Sequence, residues 1–191
     1  MRISRALAFI SDVHWGQCKG KDMSTESRRS TFYIALAIIA FTVLSIAAIF
    51  LRVYRLPFVI IDILGARNSV THWVGWAGAI WMALYTPVYS IVKRRRPVLI
   101  PRLLWAHVIG NLIAVLFVSV HFAHQVTRPA SNYPDLGTGI VLYIAMILLV
   151  SSGFMVYFGY GKRWFKMIRQ LHPAVALTFY LTIIMHIIHG I

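Results

Sequence analysis

Apolar residues run along this chain in blocks too long for the core of a water-soluble domain. Five blocks stand out, at roughly 31–51, 70–92, 103–126, 137–158 and 171–191, separated by short polar or basic stretches. About 20 apolar residues in a helix cross a hydrocarbon layer about 30 Å thick. The pattern therefore predicts five spans and an all-α integral membrane protein, a five-helix transmembrane bundle. The first block holds no charged residue and reads as a packing or lipid-facing helix. The second is rich in Gly75, Gly78, Ala79 and Ala83, small residues that let helices approach closely. Its Trp73, Trp76 and Trp81 suit a pocket wall or an interfacial belt. The fourth contains Ser151-Ser152-Gly153, another small-residue site. Residues 1–30 read as a cytoplasmic N-terminal tail or an interfacial helix, with Leu7, Phe9, Ile10 and Trp15 toward lipid. Residues 31–191 form the transmembrane domain.

Charge fixes an expected orientation. The net charge is +14, with only Asp12, Asp22, Glu26, Asp62 and Asp135 as acids. So large a charge suits nucleic acid, but its placement argues for no nucleic acid. Lys and Arg flank the spans, six in residues 1–30, five in the second connection and four in the fourth, against three in the first and one in the third. The richer side faces the cytoplasm. The N-terminus is then cytoplasmic and the C-terminus lies on the outer face, as in the cytoplasmic membrane of a prokaryote. Clusters such as Lys93–Arg96 suit contact with anionic lipid. Cys18 is the only cysteine, so the chain by itself holds no disulfide, no C-x-x-C-H haem attachment and no cysteine-ligated iron–sulfur cluster.

The chemistry lies in the histidines. His107 is followed by His121 and His124, and His172 by His186 and His189, each with gaps of fourteen and then three. Fourteen helical residues return to within about 40° of the same face and rise about 21 Å. The third and fifth spans are two crossings apart and run in the same direction. His107 then shares a level with His172, and His121 with His186. Intramembrane histidines are costly without a partner or a role, and neutral imidazole is a good iron ligand. Two bis-histidine clamps would hold two haem b groups in a four-helix haem-binding core. Two axial histidines leave iron no open position, which points to electron transfer. His124 and His189 lie about 60° around from His121 and His186 and are alternative outer ligands or quinone contacts. Gly110, one turn after His107, would let a flat macrocycle approach. His72 is a weaker outer candidate, and His14 a tail residue. Arg102, Arg163 and Arg169 are candidate partners for inner propionates and Arg128 for an outer one, each equally a topology determinant. His172 precedes Pro173, which disfavours the α conformation and would set His172 at the mouth of its helix.

The stretches HVIGNLIAVLFVSVHFAH and WFKMIRQLHPAVALTFYLTIIMHIIHG resemble the membrane b-type cytochromes over roughly residues 70–191. The paired spacings resemble the ferric-reductase-like transmembrane domain and the core of quinol–cytochrome c reductases. YIAMILLVSSGFMVYFG is similar to cytochrome b subunits of membrane hydrogenases. The resemblance implies His107 and His172 as ligands of one haem iron and His121 and His186 of the other. It implies the electron-transfer subunit of a membrane oxidoreductase, with a quinone pool or a redox partner subunit, flavin- or iron–sulfur-bearing, as donor or acceptor. The chain departs from flavin-linked ferric reductases in lacking a sixth span and a dinucleotide glycine fingerprint. Two alternatives differ in class. One is a membrane metal enzyme with copper or non-haem iron held by the two H-x-x-H pairs. The other is a non-redox structural subunit, which leaves the repeated spacing unexplained.

Overall fold

The computed structural model describes residues 25–53, 59–63, 66–128, 137–160 and 163–190. Helix α1 spans Thr25–Phe50, α2 Val70–Arg95, α3 Ile100–Val126, α4 Gly137–Phe158 and α5 Phe165–Gly190. A hairpin of β1 (Ile60–Ile63) and β2 (Ala66–Ser69) precedes α2, and a 3₁₀ turn, Pro97–Leu99, joins α2 to α3. The expectations for the tail, including His14 and Cys18, and for the loop around Pro129–Pro134 lie outside the described residues.

Four helices are long and apolar enough to cross a membrane, within Ser27–Phe50, Pro97–Val126, Gly137–Phe158 and Lys166–Ile188. Helix α2 matches them in length at 26 residues but is less apolar. It buries Thr71, Gly75, Gly78 and Met82 and lies along α3. Long apolar side chains point outward instead, among them Leu44 at 66% exposure, Leu177 at 61% and Ile188 at 62%. That inversion is what lipid permits and water does not. The molecule is a largely all-α membrane bundle.

Two antiparallel pairs build the core, α2 with α3 and α4 with α5, joined along an α3–α4 seam. Ser119 and Tyr143 share a 3.0 Å hydroxyl hydrogen bond across that seam. Phe122 stacks on Tyr143 at 4.3 Å. Helix α1 packs on α3, with Ala35 against Val108, Ile109 and Leu112. Phe32 meets Phe158 edge-on, and Arg28 Nη2 donates to the Tyr157 carbonyl at 2.7 Å. The bundle thus has a basic end, carrying Arg28 and Lys93–Arg96, and a hairpin end. In the hairpin Ile60 pairs with Ser69 and Asp62 with Arg67. Trp73 Nε1 donates to the Ile61 carbonyl at 3.3 Å, and the Ser69 hydroxyl caps α2 by accepting from His72 N–H.

Helix boundaries shift in two informative places. Helix α1 starts at Thr25, so the end of the expected tail is helical. Helix α5 starts at Phe165 and runs through Pro173, so His172 sits inside a helix and not at its mouth. Proline strands the carbonyl four residues back, here that of Arg169, and Arg169 lies at the exposed basic end. Pro87 does the same to Ala83 within α2. There Tyr180 of α5 supplies the donor, its hydroxyl reaching the Met82 carbonyl at 3.1 Å and the Ala83 carbonyl at 3.3 Å. Tyr180→Phe should therefore destabilise the bundle by about 1 kcal/mol, read as a lower thermal midpoint in detergent. The loss should shrink in a Pro87→Ala background, where the chain restores its own N–H.

Candidate histidine site

His107, His121 and His124 of α3 lean on α2, and His172 and His186 of α5 lean on α4. The ring of His107 stacks on Tyr89 with centroids 4.9 Å apart and planes 15° from parallel. Tyr85 follows at 6.2 Å and anchors its hydroxyl on the Leu103 carbonyl. His121 packs over Gly75, where a Cβ would lie 2.7 Å from His121 Cγ. His172 packs over Gly153, where a Cβ would lie 3.0 Å from His172 Cε1. His186 packs over Gly139, with the corresponding distance 3.5 Å. Three of the four rings thus rest on a glycine of the neighbouring helix. Gly153 was legible as a small-residue site, but its pairing with His172 is a tertiary contact that no local pattern reveals.

The four rings form two levels. His107 lies within electrostatic range of His172, near the basic end. His121 lies within range of His186 and His72, near the hairpin end. Between the levels sits an apolar plug of Met82, Ala114, Val115, Met146, Leu149, Phe179 and Ile183. Helices α3 and α5 face each other only through this interior, since each packs mainly on its own hairpin partner.

Hydrogen bonds fix how the rings point. Nδ1 makes the bond in all four, and Nε2 makes none among the described residues. His121 Nδ1 lies 3.2 Å from the Thr71 carbonyl; a carbonyl only accepts, so the proton is on Nδ1. His172 Nδ1 lies 3.0 Å from Ser152 Oγ. That hydroxyl already donates to the Leu149 carbonyl at 2.9 Å, so it accepts from His172 Nδ1–H. His186 Nδ1 shares a 3.0 Å bond with Thr138 Oγ1. His107 Nδ1 lies 3.4 Å from Asn111 Nδ2, while Asn111 Oδ1 is buried without a partner. Turning that amide over gives His107 Nδ1–H an acceptor and the oxygen its donor. In at least one ring of each level, the lone pair is therefore on Nε2.

The remaining candidates separate from this set. His124 is buried and bonds Thr71 Oγ1 through Nδ1 at 3.0 Å. Thr71 Oγ1 is in turn 3.1 Å from Ser69 Oγ. Thr71 thus holds both histidines of the α3 pair, His121 by its carbonyl and His124 by its hydroxyl. His72 meets His121 edge-on at 5.2 Å, but its Nε2 accepts from Trp76 Nε1 at 3.0 Å. His189 belongs to the last turn of α5, and its side chain lies outside the described residues. Gly110 was expected to admit a macrocycle. The structure instead seats the Trp81 indole against it, so its missing side chain serves packing between α2 and α3. Among the described residues no three His, Cys, Asp or Glu side chains converge as a metal-binding group.

Two further features flank the level near the basic end. A cavity of about 460 Å³ between α2 and α5 is lined by Thr86, Pro87, Ser90, Ile91, Arg94 and Tyr180. Lys93 Nζ sits 5.7 Å from the Tyr89 ring centroid, and burial together with Arg94 pushes its pKa down.

The glycine seats are directly testable. Gly75→Ala should cost about 1–3 kcal/mol through overpacking against the base of the His121 side chain. Gly139→Ala, whose Cβ meets His186 at ordinary contact distance, should be neutral or stabilising. Thermal unfolding of both variants in detergent checks the contrast.

No protein family matches the chain, and neither a curated protein nor a solved structure does; its chemistry is read from these residues alone.

Proposed function

We propose that the chain is a membrane electron-transfer protein with two bis-histidine haem b sites, one at each histidine level. The observation that carries this reading is the set of four rings held by Nδ1, with no hydrogen bond at Nε2 among the described residues. A metal-ligating histidine characteristically donates its other N–H to a carbonyl or hydroxyl, which fixes tautomer and ring plane. His107 and His172 would serve one level and His121 and His186 the other. His121 and His124 are both held at Nδ1 by Thr71, and the level that His121 shares with His186 favours His121 as the α3 ligand. Haem held by these residues would supply one-electron chemistry.

The residues would act by position and environment. Asn111, Ser152, Thr138 and the Thr71 carbonyl orient the imidazoles and keep Nε2 basic. The plug around Met146 and Phe179 excludes water between the levels. The positive-inside bias supports a cytoplasmic basic end, which suits the cytoplasmic membrane of a prokaryote. Electrons then cross between a quinol or redox subunit on one side and an acceptor on the other.

Reduced-minus-oxidised and pyridine-haemochrome spectra on protein from a haem-sufficient host should give about two b haems per chain. His107→Ala and His172→Ala should each remove one haem, and His121→Ala and His186→Ala the other. Retention of both haems in all four variants rules the assignment out. Ser152→Ala should weaken haem retention at its level about 10–100-fold, measured by haem loss to an apo-acceptor protein.

A further inference from the structure

Helices α2 and α5 meet through Tyr180, whose hydroxyl donates to the Met82 and Ala83 carbonyls at 3.1 and 3.3 Å. Elsewhere the two helices do not pack closely. Between Tyr180 and the basic end lies the cavity of about 460 Å³, within the usual range of ligand pockets, about 300–1,000 Å³. Its α2 wall carries Thr86, Ser90 and Arg94 in four-residue steps, with Pro87 and Ile91 beside them. Four-residue steps stay on one helix face, so the wall is a stripe that ends in a cation.

The polar groups of this wall differ in what they offer a ligand. Ser90 Oγ donates to the Thr86 carbonyl at 3.0 Å, so Ser90 and Tyr180 both direct their protons onto main-chain carbonyls. The Thr86 side chain is within hydrogen-bond reach of the Tyr180 hydroxyl. Arg94 is exposed, and no hydrogen bond or ion pair engages it among the described residues. Its neighbour Lys93 is turned over the Tyr89 ring instead. Exposed Trp105, Tyr160 and Trp164 stand at the same end, as aromatic belts do at headgroup level. The cavity thus joins an apolar floor at hydrocarbon depth to a guanidinium at headgroup depth. A guanidinium matches phosphate with two parallel hydrogen bonds. Pro87, Ile91 and the Tyr180 ring suit an acyl chain. A quinone ring, whose carbonyls only accept, finds the Ser90 and Tyr180 protons already engaged.

We infer that this cavity binds one anionic phospholipid, its phosphate on Arg94 and an acyl chain laid along Pro87 and Ile91 toward Tyr180. A lipid seated there covers the α2–α5 face, which no described helix covers. The site is independent of the dihaem reading.

The test uses the full chain, purified in detergent and stripped of lipid. Native mass spectrometry counts the adducts formed with phosphatidylglycerol or with phosphatidylcholine of the same chain length. Wild-type protein should hold one phosphatidylglycerol about 5–10-fold more tightly than phosphatidylcholine. Arg94→Gln should lose that preference. Arg95→Gln, the same charge change on an exposed neighbour that does not line the cavity, should keep it. Ile91→Trp, which leaves every charge in place and fills the cavity, should weaken binding of both lipids. Should Ile91→Trp fail to fold, the contrast between Arg94→Gln and Arg95→Gln decides alone. Equal retention of the two lipids by wild-type protein, or equal loss of preference in the two Gln variants, overturns the site and leaves only diffuse attraction to the basic end. Displacement of the lipid by inorganic phosphate at matched ionic strength overturns it in favour of a free anion, and displacement by a short-chain quinone in favour of a quinone.

Discussion

A neutral imidazole has one donor and one acceptor, and in a hydrocarbon surrounding each unmet group is costly. Four such rings within a bundle of this size set the terms for everything around them. Each needs a polar atom at Nδ1 from the chain itself. Each needs a neighbouring helix that comes close enough to supply it. The protein meets both needs in the same few residues. Thr71 and Gly75 serve His121, Thr138 and Gly139 serve His186, and Ser152 and Gly153 serve His172. The polar residue binds the ring while the glycine beside it or one turn on makes room. His107 is the exception: Tyr89 and Tyr85 provide a stacking surface, and Asn111 on its own helix provides the polar atom.

This arrangement explains the architecture. Because α3 rings lean on α2 and α5 rings lean on α4, the bundle divides into two hairpins with matching levels. Helices α3 and α5 sit across the interior from each other, with His107 on a level with His172 and His121 with His186. The apolar plug halfway between the levels keeps the two polar layers apart. Helix α1 lies outside this unit, on α3, and among the described residues no helix covers the α2–α5 side.

Much of this was legible in the sequence. The apolar blocks located all five helices, because spans are dictated by length and composition alone. The repeated fourteen-residue spacing located the two levels, because helical periodicity is local. What the sequence hid was set by contacts between helices. Nothing local links Gly153 to His172, or tells Gly110 apart as the seat of Trp81. The short hairpin of β1 and β2 carried no clear alternation. Pro173 misled for a physical reason. The rule about residues before proline describes a backbone preference, and the carbonyl that Pro173 strands, that of Arg169, lies at the exposed end of α5, where water can satisfy it.

The two levels are not chemically equivalent, and that asymmetry bears on direction. Near the hairpin end, His121 donates to a main-chain carbonyl that cannot donate back, within a buried network running through Thr71, His124 and Ser69. Near the basic end, the partners are an amide, a hydroxyl and two aromatic faces, with the cavity beside Arg94 opening between α2 and α5. On the dihaem reading proposed above, a fixed carbonyl acceptor would make the His121 imidazole a more basic ligand than a hydroxyl or amide would make its counterparts, and a more basic ligand would favour the oxidised metal. That difference alone would give the level near the hairpin end the lower potential and would favour the electron resting near the basic end.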